Sequence, residues 1–414
     1  MEQWRRTLLV TAIAQACSIL GFGLVTPFLP LYVQQLGIHG AAQVTFWAAM
    51  MSGFVALGMT FASPLWGVLA DRHGRKLMVV RAAGCAALLM GLMGLATNVY
   101  QLLALRLLQG IFTGTVSASQ ALVASQTPRH RLGFALGVMQ TAVFTGNSLG
   151  PLAGGFVAQL VGFRQTFVLS AVFLLACALM VAFLVKEERP EVPAARSGQP
   201  SLLAGMGMVL RSPAILPMIA SIFAVQFAVT QVYPILPQFV QALQGSSGNA
   251  AIATGVILAL AGGAGAISST MVGWYSDRLG YKRVLATAAF LACLVSVPQF
   301  FVTATWQLGA LRVLDGFALG AMLPSGSAIL AGLVPQERRG AVYGLSAAAI
   351  SVGFAAGPLT SAAVVALSNI RTVFLVAAVL LAAIGVWVLR TAPGRQWQAE
   401  HAREAQAAEA IGAQ

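Results

Sequence analysis

The chain has 414 residues, of which 58% are hydrophobic and only 8% charged, and its formal net charge is +13 at pH 7. Soluble globular domains have about 45 to 50% apolar and about 25% charged residues, so this composition excludes a soluble fold and indicates a protein with many membrane-spanning helices. The basic residues separate apolar runs instead of gathering on one surface, which argues against a nucleic-acid partner.

Apolar runs long enough to cross a bilayer recur along the chain. The first six lie at about 7–34, 44–70, 77–97, 101–124, 133–160 and 166–186, and six more lie at about 213–240, 250–275, 282–303, 307–333, 341–366 and 371–390. The segment between the two sets holds three prolines and three glutamates, which is typical of a solvated linker. We expect a six-helix bundle at 1–186, a cytoplasmic linker at 187–212, a second six-helix bundle at 213–390 and a cytoplasmic tail at 391–414.

The basic residues also predict the orientation in the membrane. Of the 24 Lys and Arg residues, Arg106 and Arg312 lie inside predicted spans, and Arg164 and Arg371 lie in one set of loops, which leaves 20 in the other loops and the termini. Lys and Arg resist translocation, so the strongly basic side is expected in the cytoplasm. Both termini are therefore predicted to be cytoplasmic.

The second half of the chain repeats the first at an offset of 206 or 207 residues. Four landmarks recur, namely Pro27 and Pro30 with Pro234 and Pro237, Gly67 and Asp71 with Gly273 and Asp277, Arg106 and Gly110 with Arg312 and Gly316, and Gly150-Pro151 with Gly357-Pro358. Duplicated halves are a recognised plan of membrane transporters. The sequence therefore predicts an all-α membrane protein of twelve spanning helices in two pseudo-symmetric six-helix bundles.

The most charged connection lies between the second and third runs, at Gly67–Lys76. This loop resembles the loop motif of the major facilitator superfamily, and the six-plus-six layout fits that superfamily over nearly the whole chain. The segment Gly146–Gly155 resembles the additional motif of its drug:proton antiporters. With Pro27–Tyr32 and Ser63–Trp66, the chain is similar to bacterial multidrug efflux proteins of the MdtG-like kind.

The resemblance implies a multi-pass protein of the bacterial cytoplasmic (inner) membrane whose two halves rock about a central cavity. It implies a monomer that works on small, amphiphilic molecules and protons. No cofactor is expected, because the proton gradient would be the source of energy.

The resemblance also implies a gate at the loop. In the family pattern the loop aspartate lies near a helix N-terminus of the other half, where the helix dipole and free N–H groups stabilise an anion. The alternative is a local pair with a loop arginine, which contributes only about 0 to 1 kcal/mol. The family often provides an acid after the fourth helix, whereas this chain has Ser125–Arg131 there, so Arg75 is expected to lack that acidic partner. The candidate gating residues are Gly67, Asp71, Arg72, Gly74, Arg75, Lys76, Asp277 and Arg278.

Asp315 is the one residue among the 11 Asp and Glu that lies well inside a predicted span. A charged group at mid-membrane costs roughly 2.5 to 3.5 kcal/mol on insertion scales, and such residues usually mark ion or substrate pathways. Asp315 is therefore a candidate for proton coupling or substrate binding. The alternative is that Arg312, three residues earlier on the same helical face, neutralises it permanently.

Arg106, in the fourth run, resembles the membrane arginine of the antiporter motif, which implies proton coupling or substrate anchoring. The alternative is that its side chain extends to the nearby membrane surface. Gln109 and Thr113 continue a polar stripe on the same face, which favours the functional role. Aromatic residues among a few polar groups suit an amphiphilic guest, although each is also an ordinary packing residue. The candidate cavity residues are Gln15, Phe22, Gln109, Phe112, Gln226, Phe227, Gln231 and Tyr233.

Small residues recur every fourth position in the fifth run, a spacing that permits close helix packing. Pro151 predicts a kink. The antiporter role of this segment rests on the resemblance alone, and its residues are Gly146, Gly150, Pro151, Gly154 and Gly155.

The leading hypothesis is a proton-coupled exporter of drugs or other amphiphilic compounds. The first alternative is an importer or exporter of a small metabolite, sugar or organic anion, because a fold does not fix its substrate. Arg106 and Arg312 outnumber Asp315, which favours a neutral, zwitterionic or anionic substrate.

An enzyme would need a nucleophile with its base, a metal cluster or a nucleotide loop, and the sequence shows none. A metal site is not expected, because the four cysteines lack metal-ligand spacing. A non-transporting receptor would not need two halves with matched loops.

Overall fold

The computed structural model describes residues 3–128, 131–187, 215–245, 249–333 and 339–391. Within these ranges it leaves undescribed the side chains of residues 63–64, 67–68, 71–72, 132–133, 273–278, 331–332, 339–344 and 347. Most of the predicted linker, 188–212, and the predicted tail beyond 391 lie outside the described residues.

Helices follow one another through the described residues, with no strand among them. The first half forms α1 (Gln3–Gly23), α2 (Leu29–Gln35), α3 (Ala41–His73), α4 (Arg75–Gly94), α5 (Val99–Phe112), α6 (Thr115–Gln126), α7 (Leu132–Val161) and α8 (Phe163–Leu184). The second half forms α9 (Ile215–Thr230), α10 (Leu236–Gln244), α11 (Ala250–Leu279), α12 (Tyr281–Gln299), α13 (Thr305–Leu333), α14 (Arg339–Leu367) and α15 (Thr372–Thr391).

Ten segments of the described chain are long and apolar enough to cross a membrane. α7 occupies an eleventh predicted span, and α9 together with α10 occupies the twelfth. The predicted all-α architecture of twelve spans in two six-helix bundles is confirmed.

Proline pairs interrupt the first span of each half at matching places. A short 3-10 helix at Thr26–Phe28 separates α1 from α2, and an irregular turn separates α9 from α10. Proline lacks the backbone N–H that an α-helix needs, so both spans break where the sequence repeats. The repeat therefore has a structural counterpart.

The sequence predicts the fourth span as one continuous run at 101–124, but the structure differs. The span is split between α5 and α6, where Thr113 has an extended backbone and Gly114 has φ +121°. Only glycine adopts such a positive φ without strain. The matching span of the second half, α13, runs through its glycines without a break.

Arg81 corrects the charge count, because it lies inside α4 and not in a loop. Its guanidinium carbon lies 3.3 Å from the centroid of the Trp66 ring. A cation over an aromatic face is stabilised by the ring quadrupole, which helps to keep this arginine within a spanning helix.

The two halves meet along α3 with α14 and α7 with α11. We call the side that carries the α3–α4 turn at Gly74 and the α11–α12 turn at Gly280 the loop face, and the opposite side the far face. At the far face, the Gln238 amide donates to the Thr45 hydroxyl at 3.0 Å in a buried bond between halves, and the Gln34 amide donates to Gln241 at 3.2 Å. The far face is therefore closed.

Candidate functional site

The buried charges of the second half form one ion pair on α13. Arg312 donates from Nη1 to Oδ2 of Asp315. Asp315 is 3% exposed and Arg312 is 9% exposed. The i, i+3 spacing predicted this contact. Both sequence alternatives stay open, because a pair that neutralises Asp315 in this conformation can separate when a proton or a substrate arrives.

Two neutral polar residues from other helices lie beside this pair. Gln299, at the end of α12, is completely buried near Asp315, and its amide donates to the carbonyl oxygen of Val295 at 3.4 Å. Tyr233, between α9 and α10, is 45% exposed and close enough to interact electrostatically with both charged residues. Sequence reasoning named Tyr233 and missed Gln299, which follows an apolar run as its last helical residue.

Arg106 occupies the same place in the first half but lacks an acidic partner in the described part of the chain. Its Nη1 donates to Oε1 of Gln109 at 2.9 Å. The residue is 3% exposed, and its Nε and Nη2 have no hydrogen-bond partner among the described residues. A buried charge is costly unless it is paired. The two halves therefore differ by one negative charge at matched positions, Gln109 against Asp315.

Glycines hold both arginine-bearing helices against a neighbour. A side chain at Gly110 would collide with the carbonyl oxygen of Val55 on α3, and one at Gly316 would collide with that of Ala261 on α11. These matched backbone contacts fix the helices that carry Arg106 and Arg312. Small residues allow such close approach in membrane bundles.

The predicted cavity residues fall into different environments. Gln15 and Gln231 are buried, and the structure gives their amide groups no hydrogen-bond partner within its described residues. Phe227 stacks on Phe223 with centroids 5.7 Å apart, and Gln226 borders Gly353 of α14. Phe22 packs against the apolar core of the first half.

Phe112 ends α5 and is 36% exposed. It lies 6.1 Å from Trp66, measured between ring centroids. The role of the eight residues as a cavity lining stays a prediction. Arg106 with Gln109, and Arg312 with Asp315 and Tyr233, are the polar groups that the structure brings together.

At the loop face, Glu187 caps α4. Its carboxylate oxygens accept hydrogen bonds from the backbone N–H groups of Arg75 at 2.8 Å and Lys76 at 3.0 Å. Gly74, with φ +98°, places these N–H groups at the start of the helix. Glu187 was expected in a solvated linker, but an anion at a helix N-terminus gains from its free N–H groups and its dipole.

Arg75 has a partner on the fourth span despite the missing acid. Its Nη1 donates to the carbonyl oxygen of Ala121 on α6 at 3.2 Å. The side chains of Gly67, Asp71, Arg72, Asp277 and Arg278 lie outside the described residues, so their gating role stays a prediction.

The glycines of the fifth span lie at two helix contacts. A side chain at Gly146 would come within 2.6 Å of Ile19, and side chains at Gly150 and Gly154 would meet the backbone of Gly23, which ends α1, and of Leu24, which follows it. On the other side, Gly155 packs against the backbone of Ala251. The backbone of Pro151 meets Gly255 in turn, so this segment joins the two halves.

No cluster of three or more His, Cys, Asp or Glu side chains that could hold a metal ion occurs in the ranges described.

Comparison with known proteins places these features in context. The family model described as "Major Facilitator Superfamily" matches residues 11–308 and 253–412. The chain is 37% identical over 386 residues to the multidrug resistance protein MdtG of Citrobacter koseri, covering 93% of this chain and 95% of that one. It is 37% identical over 381 residues to MdtG of Enterobacter lignolyticus, covering 91% of this chain and 90% of that one.

Solved structures share the fold at low sequence identity. A bacterial homologue of the human lysosomal transporter Spinster, in an inward-facing and occupied conformation, superposes with a TM-score of 0.76 at 15% identity, covering 94% of this chain and 98% of that one. The nucleoside transporter NupG superposes with a TM-score of 0.76 at 14% identity, covering 93% of this chain and 99% of that one.

Proposed function

Because the chain belongs to the major facilitator superfamily and, within it, to the family of the MdtG multidrug resistance proteins, we propose that it exports drugs or other amphiphilic small molecules in exchange for protons. Membership makes it a secondary transporter of small molecules. The observation that supports proton exchange is the buried pair of Arg312 and Asp315. Intramembrane carboxylates of this kind usually belong to ion or substrate pathways.

A proton that binds Asp315 removes the negative charge that balances Arg312. Breaking a buried ion pair leaves an uncompensated charge, at a cost of about 3 to 5 kcal/mol. Protonation is therefore favourable only when the halves rearrange or when another group reaches Arg312. This requirement would couple the proton to the conformational change, without any bound cofactor.

Arg106 supports a preference for substrates that are not strongly cationic. Its buried guanidinium has only the neutral Gln109 as a partner in the described residues. A neutral, zwitterionic or anionic guest avoids repulsion at this site, and an anionic one would pair with it. The same observation favours the second candidate function, a carrier of small organic anions on this scaffold.

The basic residues support an orientation with the loop face and both termini in the cytoplasm of a bacterial cell. In that orientation, the closed far face is the outer one. The conformation described would then receive substrate from the cytoplasm, as an exporter requires.

Transport in inside-out membrane vesicles tests the proposal. A panel of anionic, neutral and cationic amphiphiles, together with small hydrophilic anions, would be offered with the proton gradient imposed or collapsed. Uptake that follows the gradient is expected for anionic and neutral members, and uptake that ignores the gradient would exclude proton exchange. Uptake confined to small hydrophilic anions would favour the second candidate.

Asp315→Asn should abolish gradient-driven uptake and leave substrate binding detectable. Asp315→Glu, which retains a carboxyl group, should restore part of the uptake. Full gradient-driven transport by Asp315→Asn would remove Asp315 from the coupling role.

A further inference from the structure

The break in the fourth span divides it into two segments that both contact α4 but differ in their other partners. The segment before the break, α5, packs closely on α3. A side chain at Gly58 of α3 would lie 2.8 Å from the backbone of Leu107 and Ile111. The segment after the break, α6, packs on α1, α4 and α7. Its Leu122 belongs to a cluster with Val79 of α4, and its Val123 belongs to a cluster with residues of α1 and α7.

Trp66 and Arg81 stand at the break. The indole N–H of Trp66 donates to the carbonyl oxygen of Ile111 at 2.6 Å, in the last turn of α5. A helix end leaves such carbonyls without intrahelical partners, so this bond stabilises the interrupted form. Arg81 stacks on the Trp66 ring, and its Nε and Nη1 are buried without a hydrogen-bond partner in the described residues.

The second half has none of these features at the matching positions, which lie 206 residues later. Val272 replaces Trp66, Thr287 replaces Arg81, and Ala318 replaces Phe112. Gly320 matches Gly114 but remains helical within α13, where its backbone approaches that of Gly265. The first half has Met59 in place of Gly265.

We propose that the break at Thr113–Gly114 is a hinge specific to the first half. Trp66 and Arg81 are the positioning residues that stabilise the interrupted form of the helix. The hinge lets α5, which carries Arg106 and Gln109, move with α3, while α6 moves with α1 and α7. Discontinuous helices commonly form the substrate and ion sites of transporters. This proposal rests on the transport function above, but its test does not require transport.

Spin labels on either side of the break measure the hinge directly. One pair of labels is attached to cysteines introduced at Ala104 and Ala121, in a protein from which the four native cysteines have been removed. An uninterrupted helix would separate the two Cα atoms by about 25 Å. Ala310 and Ser327, the matching positions on unbroken α13, carry the control pair.

Gly114→Ala is the decisive variant. A side chain at Gly114 would meet only the Ser117 hydroxyl, at an ordinary 3.7 Å, so the substitution acts through the positive φ alone. It should shift the population about tenfold toward the uninterrupted helix, and the 104–121 distance toward about 25 Å. Gly37→Ala is the control, because Gly37 has φ +90° and open space but lies outside the fourth span.

Trp66→Phe provides a second variant, which keeps the ring for Arg81 and removes the N–H that Ile111 accepts. It should shift the distance in the same direction. The hinge is excluded if neither variant changes the 104–121 distance, or if Gly37→Ala changes it by the same amount. Absence of transport in the parent protein would contradict the proposed function and leave the distance measurement valid.

Discussion

The carboxylate of Glu187 holds the first two backbone N–H groups of α4, those of Arg75 and Lys76. It connects the end of the sixth span to the loop that begins the third. Because Arg75 also reaches Ala121 on α6, three spans meet at one polar junction on the loop face. A shift of α8 would therefore also move the α3–α4 turn at Gly74.

Glu187→Ala should destabilise the protein and disturb the loop. Loss of a helix cap costs about 0.5 to 2 kcal/mol, so the midpoint of thermal unfolding should fall by a few degrees. Asn98→Ala is a matched control, because Asn98 caps α5 at the far face by accepting from Gln101. Both variants should lower the midpoint, measured by fluorescence in detergent. Only Glu187→Ala should also slow transport, and equal transport by both would make the Glu187 cap purely structural.

Gln109→Glu should change which compounds are exported. A carboxylate here would pair with Arg106 as Asp315 pairs with Arg312, and would occupy the guanidinium. A hydrogen bond to a charged group is worth about 1.5 to 3 kcal/mol, so export of anionic compounds should fall at least tenfold. Export of neutral compounds should change little.

Gln109→Leu separates the added charge from the lost hydrogen bond, because it removes the amide without introducing a carboxylate. Initial rates of uptake into vesicles give the comparison. Equal losses for anionic and neutral compounds in Gln109→Glu would contradict an anion site at Arg106.

The fold was predictable from sequence because its main determinants are periodic. Membrane spans are set by run length, and the repeat was visible in pairs such as Pro27 with Pro234. The pair of Arg312 and Asp315 followed from helical spacing alone. These features depend on local sequence, which is why they could be recognised without coordinates.

The features that the sequence did not predict depend on contacts between distant helices. Glu187 caps a helix that begins 112 positions earlier. The break at Gly114 has no proline to mark it, and Gly320 at the matching position is helical and packs closely on the backbone of Gly265. Arg81 was left out of the count of span residues although it lies in the run at 77–97, and its stacking on Trp66 joins two helices, which a sequence does not show.

Gly154→Ala should weaken the contact between α7 and α1. An added methyl group would meet the backbone of Leu24, which cannot move aside as a flexible side chain can. Overpacking of this kind costs about 1 to 3 kcal/mol. Gly84→Ala is the control, because nothing lies within 4 Å of its added methyl group, and alanine favours the helix by roughly 0.5 to 1 kcal/mol. Thermal unfolding should show opposite shifts, and similar midpoints would contradict the close packing described.

Gln238→Leu should loosen the closed far face. The Gln238 amide donates to Thr45 across the halves and to the carbonyl of Pro234, and the residue is 5% exposed. A buried hydrogen bond contributes about 0.5 to 1.5 kcal/mol, so its loss should shift the equilibrium about fivefold toward a form open at this face. Gln241→Leu removes the exposed bond to Gln34, which competes with solvent and should matter less. Opening is measured by the rate at which a thiol reagent labels a cysteine introduced at Ala42, which packs against an apolar cluster of the second half. Faster labelling in Gln238→Leu than in Gln241→Leu is expected, and the reverse order would show that the exposed pair holds the far face closed.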